Sequence, residues 1–383
     1  MSLPTISQLF LAFLRLGITA FGGPSMIAYV RQMAVERKRW LDAESFNAAV
    51  ALCQTIPGAT VMQVAAYVGL KTRGITGAVA AFVGFGLPAF IVMMVLSNLY
   101  LQAHDLPVIV SVLIGLQAII VGIVAGAALS FGGAALKGWK DALIAGLAAL
   151  LFGFHISPIG VILLSALVGL MVKSAGQKNT RLQDVTIQNH STRYSFLLML
   201  AIVTGIYLLL FFLRRDFFDL AVLMSKIDLF AFGGGFSSVP LMLHEIVEVR
   251  QWMDARTFMN GIILGQVTPG PIVITATFVG SILYGIPGGI IATFGVFLPS
   301  FLILVGIEPY FGRLRSLPYF QKAVHGILCS FVGLLISVVG QFAANVQWDL
   351  TRLALFTATF TALLLKIDIL WVLLAGTAIS ILL

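Results

Sequence analysis

Phe21-Gly22-Gly23-Pro24 and, 211 positions later, Phe232-Gly233-Gly234-Gly235 decide the fold of this chain. Each run interrupts a long apolar stretch. Glycine there admits backbone angles that other residues avoid, and proline removes a hydrogen-bond donor. A second pair of interruptions follows, Pro57-Gly58-Ala59 and Pro269-Gly270-Pro271, now 212 apart. Around these four marks the rest of the chain repeats. Gly69/Gly280, Gly84/Gly295, Pro88/Pro299, Pro107/Pro318 and Gly115/Gly326 keep the spacing of 211, while Trp40/Trp252, Asp42/Asp254 and Gln54/Gln266 keep 212. The chain reads as a duplication. Its halves run from about 1 to 172 and from about 215 to 383, joined within 173–214 by a polar stretch and one unmatched apolar helix.

Composition names the solvent. The chain is 60% hydrophobic and 10% charged, where a soluble domain carries roughly 25% charged residues. Thirty-eight charged side chains (23 basic plus 15 acidic) cannot coat a globule of 383 residues. A soluble enzyme and a disordered regulator are excluded. So is a disulfide scaffold, because the only cysteines, Cys53 and Cys329, sit inside apolar runs. The formal charge of +8 is scattered between those runs, as topology signals are, and does not point to nucleic acid. There are thirteen apolar runs, from 5–29 to 367–383. Most reach the ~20 residues that an α-helix needs to cross about 30 Å of hydrocarbon, and only helices satisfy the backbone here. The pairs 140–153 with 156–172 and 350–365 with 367–383 are short, each either two thin spans or one re-entrant hairpin. Arg15 interrupts the first run, so that run reads as a retained segment and not a cleaved leader.

Each half holds an even number of crossings, so the unmatched helix turns the second half over. The expected fold is an all-α integral membrane protein of two inverted repeats of broken transmembrane helices, about 13 helical segments. That is the architecture of secondary transporters, whose site lies near the bilayer midplane. Charge supports the inversion: the turn with Lys71 and Arg73 corresponds to an uncharged turn at 281–287. The reading places the N-terminus in the cytoplasm and the C-terminus outside, with Arg31, Arg37, Lys38 and Arg39 left on the outer face against the positive-inside rule. The stretch from Arg31 to Glu44 reads as an interfacial amphipathic helix anchored by Trp40.

Four helix breaks in corresponding places expose half-helix termini, and the N-terminal ones attract anions. Intramembrane charge adds to them: Arg15 and Lys226 occupy the same depth of the same helix in each half (226 − 15 = 211), where a charge faces a cavity or a partner. The alternatives are snorkelling toward the interface or, for Lys226, a buried pair with Asp228. The candidate substrate-binding residues are therefore Arg15, Phe21, Gly22, Gly23, Pro24, Ser25, Gln54, Pro57, Gly58, Ala59 and Thr60 in the first half. Lys226, Phe232, Gly233, Gly234, Gly235, Gln266, Pro269, Gly270 and Pro271 are their counterparts in the second. Gln54 and Gln266 can donate to substrate oxygens or bond between helices. Asp228 is the candidate for proton coupling. Two cations and several helix N-termini describe a site for a small divalent anion.

On these motifs the chain resembles the chromate ion transporter family in its long, two-half form. The motifs are Phe21-Gly22-Gly23-Pro24, Trp40-Leu41, Gln54 to Ala59, Phe232-Gly233-Gly234-Gly235, Gln266 and Pro269-Gly270-Pro271. The first half departs from the pattern at Ala59, where a second proline is usual. The resemblance implies efflux of chromate across the plasma membrane of a bacterium or archaeon and thereby chromate resistance, with sulfate as a tetrahedral look-alike.

The function expected is secondary active transport of such an oxyanion. No Gly-x4-Gly-Lys-Ser/Thr stretch is present, so a proton gradient or anion exchange supplies the drive. The alternatives are a passive anion channel and an uptake carrier for sulfate-type oxyanions. A lipid-modifying enzyme would need a metal cluster or an activated nucleophile, and five scattered histidines without a His-Glu-x-x-His arrangement argue against one. The expected partners are the oxyanion and the lipid bilayer. No cofactor, resident metal or nucleic acid is expected, and a homo-oligomer is left open.

Overall fold

The computed structural model describes residues 3–21, 25–103, 106–171 and 190–382. Gly22, Gly23, Pro24 and most of the polar linker lie outside the described residues, as does the side chain of Ser25. Among the described residues every regular element is helical. The first half contains α1 (Ile6–Thr19), α2 (Ser25–Arg31), α3 (Ala43–Thr55), α4 (Thr60–Ala103), α5 (Pro107–Ala135), α6 (Trp139–Gly153) and α7 (Pro158–Met171). The unmatched helix is α8 (His190–Leu213). The second half contains α9 (Arg215–Phe230), α10 (Ser238–Met242), α11 (Ala255–Val267), α12 (Thr275–Ile307), the short α13 (Phe311–Ser316), α14 (Pro318–Asn345), α15 (Leu350–Leu364) and α16 (Ile369–Leu382).

Local chemistry repeats with the sequence. Asp42 caps α3 by accepting from the Ser45 amide at 2.7 Å, and Asp254 caps α11 by accepting from the Thr257 amide at 2.9 Å. α4 turns back on itself at Arg73 (φ −140°, ψ 20°) and Gly74 (φ 66°, ψ −154°), and α12 does so at Tyr284 (φ −139°, ψ 21°) and Gly285 (φ 64°, ψ −151°). The two arms of each hairpin touch through glycine: a Cβ on Gly69 would meet the Gly77 carbonyl, and one on Gly280 the Gly288 carbonyl. Left-handed residues pair in the same way, Arg39 with Gln251 and His155 with Lys366.

The step from 211 to 212 also has a structural cause. A π-helical segment follows α2 over Gln32–Arg37 and follows α10 over Leu243–Val249. Their starts differ by 211 (243 − 32) and their ends by 212 (249 − 37), so the extra residue is absorbed in the wider π turn, the usual way a helix takes an insertion. The stretch from Arg31 to Glu44 is consequently not one amphipathic helix. It is the last residue of α2, the whole of this π segment, a turn and the capped start of α3, and Trp40 packs partly buried against the core.

Among the described residues five helices are long and apolar enough to cross a membrane, and the multi-pass character follows from them. α6, α7, α15 and α16 have 14 or 15 residues, about 21–22 Å of helix, short of a full hydrocarbon core. These hairpins cross over between the halves. α14 packs against α6 and α7, whereas α5 packs against α15 and α16. Small residues permit the approach: a Cβ on Gly333 would meet the Ala145 carbonyl, and one on Gly122 the Thr359 side chain. The result is two bodies, α1, α4, α9 and α12 in one, and α5 to α7 with α14 to α16 in the other. α8 flanks the first, tied to it where Tyr207 Oη meets Ser225 Oγ at 2.5 Å.

Candidate functional site

All four breaks are present as interruptions between helices. α1 ends at Thr19 before α2, α3 ends at Thr55 before α4, α9 ends at Phe230 before a 3-10 turn at Gly235–Ser237, and α11 ends at Val267 before another at Ile272–Ile274. They meet in reciprocal pairs. The Gly58 amide donates to the Ala231 carbonyl at 2.8 Å, and the Gly270 amide donates to the Ala20 carbonyl at 3.1 Å. Pro57 and Phe232 form an isolated antiparallel bridge at the first crossing. The second break of each half therefore lies on the first break of the other, the contact a pseudo-two-fold axis requires. Gly58 (φ 112°) and Gly270 (φ 122°) supply backbone angles that a side chain resists.

The first crossing holds a polar cluster. Gln63 is fully buried and donates from Nε2 to the Pro57 carbonyl at 2.6 Å, leaving Oε1 unpartnered. Asp228 is 1% exposed and accepts the Ser300 amide at Oδ2 (2.7 Å), leaving Oδ1 unpartnered. Ser300 lies against Gly58, and Thr60 beside Gly234. Two unpartnered buried oxygens on residues that flank one crossing are costly, which marks the crossing as a place built for something other than stability.

The cations are not gathered at these breaks as one set. Lys226 pairs with Glu245 at 2.5 Å, not with Asp228, and Arg250 lies 3.9 Å from the same carboxylate. The offset of 212 explains why only one cation is bound: the counterpart of Glu245 is Met33, which has no charge. Arg15 accordingly stays exposed on one stripe of α1 with Leu11 and Ile18, with no ion pair among the described residues.

The two glutamines differ as well. Gln54 is exposed and lines an open cleft of about 470 Å³ with Ile27, Arg31, Phe46, Asn47 and Val50. The counterparts of this face in the second half, Met242, Phe258, Met259 and Ile262, are buried, and Gln266 Nε2 is buried without a partner. Packing accounts for the difference: α11 lies on α5, α14 and α16, while α3 packs on α4. The duplicated segments thus hold two different environments, one open and one closed. Arg31, Gln63 and Ser300 were not singled out in the sequence. Gln63 and Ser300 are polar residues in apolar runs, a weak signal, and Arg31 was read only as part of a charged surface.

A family model described as chromate transporter matches residues 7–170 and again 218–381, the two structural halves. The chain is 44% identical over 379 residues to an uncharacterized transporter of Methanocaldococcus jannaschii, covering 98% of this chain and 94% of the relative. It is 29% identical over 366 residues to the chromate transport protein of Cupriavidus metallidurans, covering 94% of this chain and 88% of that protein. An uncharacterized transporter of Bacillus subtilis is 32% identical over 186 residues, covering 47% of this chain but 90% of the relative. That protein is about one repeat long. No solved structure matches the chain.

Proposed function

The chain belongs to the chromate transporter family, and on that footing we propose that it is a secondary active carrier exporting chromate, with sulfate-like oxyanions as competitors, across the plasma membrane. The observation that carries this reading is the reciprocal crossing of four broken helices around buried, unpartnered polar atoms, the arrangement in which transporters hold small ions between repeats. The open face between α2 and α3 and its closed counterpart at α10 and α11 support alternating access: exchanging their environments moves the cleft to the other side. The exchange of hairpins between repeats puts the moving boundary between the two packed bodies and not between the two halves of the sequence.

Arg15, exposed and without an ion pair among the described residues, is a cation available to the substrate, as is Arg31 on the open cleft, and the sites at Phe21 to Ser25, Gln54 to Thr60, Phe232 to Gly235, Gln266 and Pro269 to Pro271 line the path. Asp228 couples protons. A dianion entering the first crossing meets its charge unless the carboxyl carries a proton, so proton and anion bind together. Coupling of that sign runs inward on an inward proton gradient, and export with resistance therefore runs by exchange for another anion. The N-terminus is placed in the cytoplasm and the C-terminus outside.

The test is chromate flux in proteoliposomes with and without a pH gradient, with sulfate on either side. Saturable flux that sulfate inhibits and counter-anion accelerates is expected. Flux that follows voltage without saturating makes the protein a channel and overturns the carrier. Arg15→Ala is expected to abolish flux without loss of thermal stability, and unaltered flux in that variant removes Arg15 from the path.

A further inference from the structure

Where α6 of the first repeat meets α14 of the second, three side chains far apart in sequence converge. Asp141 Oδ1 lies 3.0 Å from His325 Nε2, and Cys329 Sγ lies 3.7 Å from the same nitrogen. All three donor atoms fall within 4.8 Å of one another. None of the three is a residue of the helix breaks, although Leu328, next to Cys329, lies against Gly233, and transport as proposed above makes no use of them.

The geometry excludes a nucleophile relay. In such a relay the acid and the thiol hold opposite nitrogens of the ring. Here both address Nε2, which can carry one proton at most and so can serve only one of them. Without a metal the thiol can turn to the Ala135 carbonyl, 3.8 Å away; a single cation placed between the three atoms engages all of them at once. In a tetrahedral zinc site, bond lengths of about 2.0–2.3 Å put neighbouring ligand atoms about 3.3–3.5 Å apart, between the 3.0 and 3.7 Å that the aspartate and the thiol keep from Nε2, with the third pair within 4.8 Å. An aspartate and a thiolate also cancel the charge of a divalent ion, which suits a position at the edge of the bilayer.

The surroundings fit a metal centre. Asp141 Oδ2 accepts the Lys137 amide at 2.9 Å, which holds Oδ1 toward the histidine, an outer-shell role. His325 and Cys329 are four residues apart on one face of α14, so a single helix presents both. Cys329 is fully buried, while the His325 side chain is 27% exposed. That exposure gives an ion a way in and leaves room for a water as fourth ligand. The pseudo-symmetric positions hold Arg352, Ile114 and Ala118, so the cluster belongs to one side of the molecule alone.

We propose that Asp141, His325 and Cys329 form a binding site for a divalent transition-metal ion of the zinc class, clamping the first repeat to the second. The full chain in detergent, stripped with chelator, is titrated with Co²⁺ as a spectroscopic substitute for Zn²⁺. One saturable equivalent is expected, with a thiolate-to-cobalt charge-transfer band and tetrahedral d–d absorption that Zn²⁺ displaces. Cys329→Ser should erase the charge-transfer band. His325→Gln should weaken binding by more than the roughly 10–100-fold that loss of an outer-shell partner costs, and Cys53→Ser should change neither. A titration without a stoichiometric step overturns the proposal, and so does a charge-transfer band that survives Cys329→Ser.

Discussion

Replacing Gly58 by alanine tests the crossing of the breaks most directly. Gly58 sits at φ 112°, a region that costs a residue with a side chain on the order of 1–3 kcal/mol. An added Cβ would land on Ser300 Cβ and lie 2.6 Å from Ser300 Oγ, against 3.4 Å or more for an ordinary contact. Overpacking of that kind costs about 1–3 kcal/mol. If the backbone yields, the bond from the Gly58 amide to the Ala231 carbonyl (2.8 Å) goes with it, a further ~1 kcal/mol. The expected loss is therefore roughly 3–7 kcal/mol, a large fraction of a typical stability. Ser300→Gly removes the clashing atoms while keeping the amide that Asp228 accepts. The double variant should then show a favourable coupling of about 1–3 kcal/mol, leaving the dihedral penalty in place. Denaturant or thermal unfolding of the four proteins in one detergent measures it. Simple additivity of the two substitutions would mean that Gly58 and Ser300 do not touch, and the crossing as described would be wrong.

Three further outcomes are expected. Gly333→Ala should cost about 1–3 kcal/mol because its Cβ meets the Ala145 backbone, whereas Gly340→Ala, where a Cβ meets nothing, should be neutral or stabilising by up to ~1 kcal/mol; thermal melts of the pair decide it. The hydrogen bond from the Ser45 amide holds the Asp42 carboxyl below its ordinary range. The cap it provides should be intact above that range and lost as pH falls through the lowered value; hydrogen exchange at Ser45 against pH reads this, and Asp42→Ala should remove the dependence at a cost of about 1 kcal/mol. Asp228→Asn should flatten the pH dependence of anion flux in proteoliposomes while leaving exchange of one anion for another intact. A pH profile unchanged by the substitution assigns coupling elsewhere.

The repeat, the four breaks and the helical class were legible because they are written in local chemistry. Glycines and prolines set side by side mark the four breaks, while single ones such as Pro88 and Pro299 stay inside helices, and Asp42 and Asp254 announce the starts of α3 and α11. The single-residue shift in spacing was legible too, though its place in a π turn was not, since no residue type signals that geometry. Pairings across the duplication were hidden. That α14 takes α6 and α7 while α5 takes α15 and α16 rests on close contacts across the duplication, such as Gly326 on Gly169 and Gly115 on Ser380, which no spacing in the sequence announces. Lys226 was legible as a cation within an apolar run, but Asp228 was the nearer carboxylate in sequence, and the helix turned Lys226 toward Glu245 instead. Asp141, His325 and Cys329 looked unrelated because 184 residues separate the first two.

The exchanged hairpins also bear on synthesis. Gly115 and Gly122 on α5 are covered by residues 380 and 359, which leave the ribosome long after α5 has entered the bilayer. The nascent first repeat must wait in lipid with its small-residue groove unfilled until the last two helices arrive, so assembly is decided at the end of translation. A chain cut to one repeat can close the same groove only by borrowing α6 and α7 from a second molecule.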